Sequence, residues 1–124
     1  MKKLIPLFLL ILVACKVEIN GSEESIELIG KTIEYRYGSD IYHVTIDSNN
    51  ELHWEGLQGE DKGVVYEETY VSEWLDDGKL FISWEEANGI AVSQILDFEA
   101  GIVHNHLMNE RDASSGLGEI RILD

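Results

Sequence analysis

From residue 30 onward, apolar and polar residues alternate in short runs, and the three-to-four-residue rhythm of an amphipathic helix is almost absent. The runs are rich in Val, Ile, Tyr, Trp and Thr. Turn residues separate them at roughly eight- to twelve-residue spacing, the rhythm of an all-β sandwich or barrel. The pattern predicts strands near Gly30–Tyr37, Ile41–Asp47, Glu51–Leu57, Val64–Val71, Lys79–Glu86, Ile90–Phe98, Ile102–Met108 and Glu119–Leu123. Between them lie "GSD", "SNN", "QGEDKG", "DDG", "ANG", "EAG" and "ERDASSGLG", which read as turns and loops. Most of these connections are tight, so sequence neighbours should pair antiparallel.

Strands in meander order predict an eight-stranded antiparallel up-and-down barrel, whose closure removes the exposed edges that invite aggregation. A barrel of that size is just wide enough to hold one small ligand, or to be filled by its own side chains. A β-sandwich with an apolar interior is the structural alternative. Successive side chains on a strand point to opposite sides, so alternation assigns the faces. Ile33, Tyr35 and Tyr37 share one side of the first strand, and Glu34 and Arg36 the other. Leu52, Trp54 and Gly56 form the inner set of the third. On the fifth, Leu80, Ile82 and Trp84 share a side, with Glu86 next along it. On the sixth, Ile90, Val92, Leu96 and Phe98 line up, with Gln94 as the polar interruption.

The interior so drawn is apolar with a few polar handles: tyrosine hydroxyls, an amide and a carboxylate. Ligand cavities have that character. Glu86 admits two placements. Inside, it would lose hydration and its pKa would rise. Beside the Asn88-Gly89 turn, it would instead bend out to water.

The N-terminus departs from the strand pattern. Lys2 and Lys3 precede an apolar run, Leu4 to Val13, and "LVAC" closes it at Cys15, the only cysteine. A bilayer span takes about 20 apolar residues, so this shorter run reads as a secretory signal. A small residue followed by the lone cysteine resembles the lipobox of bacterial lipoproteins. The resemblance implies that residues 1–14 are a cleaved signal peptide and that Cys15 carries lipid. It further implies an extracytoplasmic protein of the bacterial cell envelope, attached to the membrane through that anchor alone. The polar stretch "KVEINGSEESIE" reads as a spacer, so residues 15–28 form the lipidated cysteine and tether, and residues 29–124 the domain. No cysteine remains for a disulfide within that domain.

The formal net charge is −15, and losing Lys2 and Lys3 with the leader takes it to −17. A domain this acidic repels phosphate backbones, which argues against nucleic acid as a partner. It is also pushed away from anionic lipid, as suits a body held off on a tether.

Other candidates carry less. His104 and His106 sit two apart on one strand and share a face; a metal site would need His43, His53 or Asp97 as a third ligand. Two exposed imidazoles are the simpler reading, and no metal is expected. The acidic stretches "GED" (59–61) and "DD" (76–77) lack the spaced oxygens of a calcium loop and read as solvated turns. Ser83 and Ser93 have no glycine-rich elbow, and "SSGLG" (114–118) lacks the lysine of a phosphate loop. Trp74 and the segment Tyr66 to Tyr70 read as an aromatic patch outside the barrel.

The stretch "GKTIEYRYGSDIY" followed by "LFISWEEANGIAVSQILDF" is similar to the bacterial phenolic acid decarboxylases, through Gly30, Tyr35, Tyr37, Ser83, Trp84, Glu86, Gly89, Val92 and Ser93. Those enzymes are lipocalin-like barrels that release carbon dioxide from 4-hydroxycinnamic acids without a cofactor, commonly as homodimers. The resemblance implies that Tyr35 and Tyr37 grip a substrate carboxylate while Glu86 handles the proton. The family's orienting arginine follows a glycine before the fourth strand; here that pair is Gly63 and Val64, so the cation is missing. The segment "LHWEGLQGEDKG", with "ISWEEANGIAVSQIL", resembles the MoaF-like domains, lipocalin-like modules that depart in the same way. Together these likenesses span residues 29 to 108 and favour Glu86 on the inner face.

The expectation is a barrel that binds a small, partly apolar molecule, phenolic or carboxylate in character. Tyr35, Tyr37 and Glu86 would be its polar contacts, and Ile33, Trp54, Ile82, Trp84 and Val92 its walls. No cofactor is expected. The enzyme alternative is a cofactor-free decarboxylase with Tyr35, Tyr37 and Glu86 as its catalytic residues, and Val64 counts against it. A filled barrel serving as a cell-envelope interaction module is the third reading.

Overall fold

A computed structural model describes residues 27–123; the leader, Cys15 and most of the spacer lie outside them. The strands are β1 (Thr32–Tyr37), β2 (Asp40–Ile46), β3 (Glu51–Gln58), β4 (Val65–Trp74), β5 (Lys79–Glu85), β6 (Ala91–Asp97), β7 (Ile102–Asn109) and β8 (Asp112–Leu123). Each pairs antiparallel with the next, and β8 returns to pair with β1 from Thr32↔Leu123 to Arg36↔Glu119. The sheet therefore closes into an eight-stranded barrel in sequence order, and no sandwich forms.

Alternation builds the core. Ile33, Leu52, Ile82, Leu96 and Val103 are fully buried, one from each of five strands. Their neighbours in sequence mostly face out, which is the period-two pattern of a sheet with one packed side. Leu28 also packs into this core, so the domain takes in a residue that the composition alone would leave in the tether.

The outer wall has one organised feature. Glu34 on β1 meets Arg121 of β8 at 3.0 Å, His43 of β2 at 3.1 Å and Arg36 at 3.2 Å. Register explains the meeting, because Glu34 stands directly opposite both His43 and Arg121. These partners cover the carboxylate and hold its pKa down at about 2, the His43 bond contributing most and the Arg121 bond next.

Two sequence expectations change. Residues 112–118 form the first half of β8 rather than a loop. The actual turn is the two-residue Glu110-Arg111 connection, with Glu110 in the left-handed region at φ 58°. Glycine and serine suggested a loop, but Gly118 serves a close approach. A Cβ there would lie 2.7 Å from both the Arg36 carbonyl oxygen and Tyr37 Cδ1. A strand glycine of this kind marks where another group must come near the backbone. The outer aromatic patch is not found either. Tyr70 is buried with its hydroxyl donating to the Ser48 carbonyl at 2.7 Å, Trp74 packs on Phe98, and Tyr66 packs on Trp54. Residues 66, 70 and 74 fall on one face of β4, which is inward at Tyr70 and Trp74, while Tyr66 near the strand's start stays 52% exposed.

The meander leaves two ends. The β1–β2, β3–β4, β5–β6 and β7–β8 connections gather at one, the other three at the opposite end with residues 27–31.

Candidate functional site

A cavity of about 310 Å³ occupies the first end of the barrel. Tyr35, Tyr37, Trp54, Trp84, Glu86 and Val92 all line it. Ile33 and Ile82 do not: both are sealed in the core, and Ile82 faces a smaller cavity of about 130 Å³ at the opposite end. They lie one layer below the tyrosines and Trp84 on the same inner faces, so alternation puts them inward without fixing their depth. Val64 packs against the core, partly buried.

The wall is built strand by strand. Tyr35 pairs with Tyr42 across β1 and β2, which places both rings inside. Rings then follow one another around the wall: Tyr35 to Tyr37 at 6.2 Å, Tyr37 to Tyr42 at 6.3 Å, Tyr42 to Trp54 at 5.7 Å. The middle and last of these contacts are edge-to-face, an arrangement that aromatic quadrupoles favour. Trp84 stands across the barrel on β5.

Polar groups thread these rings. The Tyr35 hydroxyl donates to Gln94 Oε1 at 2.8 Å, and Gln94 Nε2 donates to Asn105 Oδ1 at 2.9 Å. Gln94, the lone polar residue in the β6 pattern, thus has partners on both sides. The Tyr42 hydroxyl donates to Asp61 Oδ2 at 2.6 Å. The Trp54 indole donates to the buried Glu68 at 3.0 Å, and that of Trp84 to Glu86 Oε2 at 3.3 Å. The Tyr37 hydroxyl is buried with no protein partner. Such a group normally bonds to something.

Burial pushes the phenol pKa of Tyr35, Tyr37 and Tyr42 upward, and all three stay protonated donors at neutral pH. Desolvation likewise raises Glu86 above the usual carboxylate range; the Trp84 bond opposes the rise, and the charges of Glu68 and Asp61 add to it.

Asp61, Asp40, Tyr42 and Asn105 also line the cavity, and the sequence reading missed them. Alternation along β2 was the signal available for Tyr42. Asp61 had none, because its position depends on Gly56. A side chain at Gly56 would collide with the Asp61 backbone; without one, the β3–β4 connection folds across the strand, with Gly63 N donating to the Gly56 carbonyl at 2.8 Å. The "GED" stretch is therefore more than a solvated turn. The lining contains no Lys, Arg or His.

The histidines lie elsewhere. His104 and His106 are exposed on the outer wall, His43 bonds Glu34, and His53 bonds Asp47 at 2.9 Å. Among the described residues, no group of three or more His, Cys, Asp or Glu could hold a metal ion.

Residues 29–120 match the MoaF-like family. The chain belongs to that family. No curated protein matches it. Among solved structures, the MoaF-like chain is similar to the crystal structure of "a putative beta-lactamase from Burkholderia vietnamiensis". The two share 24% identity with a TM-score of 0.72, covering 80% of this chain and 98% of that one. At such identity the likeness shows the lipocalin-like barrel fold alone.

Proposed function

We propose that this MoaF-like protein is lipid-anchored and extracytoplasmic, and that it takes a small, partly apolar molecule into the barrel. The observation that carries the reading is the 310 Å³ cavity with an unpartnered, buried Tyr37 hydroxyl among its walls. The volume falls at the lower end of the range for small-molecule sites, and apolar walls with a few convergent polar groups are their usual build. A phenol would offer its ring to the aromatic wall and its hydroxyl to Glu86 or Asp61. A ligand carboxylate would have to share one proton with Glu86. Residues 27–31 enter the barrel at the end opposite the cavity, so an anchor at Cys15 suits a cavity directed away from the bilayer.

The enzyme alternative draws support from the meeting of Tyr35, Tyr37 and Glu86 at one cavity. Against it stands the lack of a lining cation to hold and orient a substrate acid. The filled-barrel module is disfavoured by the cavity itself.

Native mass spectrometry tests the three together, on residues 16–124 with a panel of 4-hydroxycinnamic and related small aromatic compounds. A one-to-one complex without turnover is expected. Decarboxylated product would overturn the binding-protein reading in favour of the lyase, and Glu86→Gln should then abolish it. A chain that captures no compound of the panel would point to another ligand class or to the filled-barrel module.

A further inference from the structure

The charge of the cavity selects among ligands. Its rings come from Tyr35, Tyr37, Tyr42, Trp54 and Trp84, and its ionisable groups other than phenols are Asp40, Asp61 and Glu86. Glu68 lies just behind, bonded to the Trp54 indole. None of these four carboxylates makes an ion pair among the described residues. Arg36 and Arg121 pair with Glu34 of the outer wall, Lys79 lies near Asp97 toward the opposite end, and Lys62, next to Asp61 in sequence, is exposed and outside the lining.

Carboxylates set against aromatic rings lose hydration without gaining a counter-charge, which is unfavourable until something positive arrives. Rings and acids are the two surfaces that receive an organic cation, the ring face through its quadrupole and the carboxylate through its charge. An anion would meet three like charges and no cation. We infer that the barrel cavity binds an organic cation: a protonated amine or quaternary ammonium on an apolar body, its charge among Asp40, Asp61 and Glu86 and its body against the aromatic wall, Val44 and Val92. This rests on the reading of the cavity as a ligand site and names the ligand's class.

The deciding experiment compares three probes that share one body and differ in charge: 4-hydroxyphenethylammonium, 4-ethylphenol and 3-(4-hydroxyphenyl)propanoate. Affinities are measured by titration calorimetry on the full chain in a non-ionic detergent, at low and high salt. The ammonium probe should bind at least roughly tenfold tighter than the neutral phenol, with the propanoate weakest. Salt should narrow that gap, and Asp61→Asn and Glu86→Gln should each narrow it several-fold, acting on the ammonium far more than on the phenol. Equal affinity for ammonium and phenol, or a preference for the propanoate, overturns the cation assignment and leaves the ligand cavity standing. An unchanged gap in both variants overturns the placement of the charge at Asp61 and Glu86. No binding of any probe to a chain folded by circular dichroism overturns the cation assignment and the binding reading together.

Discussion

Trp84 Nε1 donates to Glu86 Oε2 across 3.3 Å, and this bond keeps the carboxylate over the cavity although Glu86 lies one residue past the end of β5. The two residues are two apart, hence on one face, and the Glu86 amide closes the turn by donating to the Ile90 carbonyl at 2.8 Å.

Glu86→Gln should raise stability at neutral pH, by less than about 1 kcal/mol because the group is half open to water. Burial lifts the folded pKa above 4.5, with Glu68 and Asp61 adding to the rise. Between 4.5 and the folded value the native state holds more protons than the unfolded one, so wild-type stability falls as pH rises through that window. The glutamine variant lacks this loss. Urea denaturation at stepped pH should show its advantage growing across the window and level above it; an advantage that shrinks with rising pH would contradict the burial of Glu86.

The two tyrosines of β1 should respond oppositely to loss of their hydroxyls. Tyr35→Phe breaks the bond to Gln94 and leaves a buried amide oxygen unpaired, a loss of about 1–3 kcal/mol. Tyr37→Phe removes a hydroxyl that has no protein partner, so stability should hold or rise slightly while ligand affinity falls. Denaturation midpoints and binding titrations on both variants check this, and a large destabilisation by Tyr37→Phe would show that its hydroxyl has a partner within the protein.

Acid should dissolve the Glu34 cluster. The folded pKa of about 2 lies below the ordinary 4.5, so the cluster's contribution is full above 4.5 and is lost as pH falls toward 2. With partners as exposed as Arg121, Glu34→Gln should cost only about 1 kcal/mol at neutral pH. Thermal unfolding of variant and wild type should converge as pH drops through that range, and added salt should bring them together at neutral pH.

Gly56→Ala should destabilise by about 1–3 kcal/mol, the cost of forcing a methyl into occupied space. The displaced Asp61 would also release the Tyr42 hydroxyl. Loss of affinity for the ligand beyond the loss of stability, read by calorimetry at a temperature where the variant is folded, is the specific signature; an intact ligand affinity would remove Asp61 from the site.

Alternation marked the strands and the inward wall, while the pairing of β8 with β1 decided for a closed barrel over a sandwich. Tyr35, Trp54, Trp84 and Val92 could be assigned inward because a strand has only two faces and a closed sheet has one inside, so a local period of two suffices. Two likenesses to known families then drew Glu86 to that same interior. What only the tertiary structure decided depends on residues far apart in the chain. Residues 112–118 are strand because Gly118 accommodates Tyr37, some eighty positions earlier. Ile33 and Ile82 lie below the cavity because depth in a barrel follows from strand register rather than from face. Asp61 lines the cavity because Gly56 lets a loop lie across a strand. The charge of the site has the same origin: the sequence shows acids in excess, but which of them arginine and lysine neutralise follows from cross-strand pairing, and among the described residues that pairing leaves the inner acids with neutral hydrogen-bond donors and no ion pair.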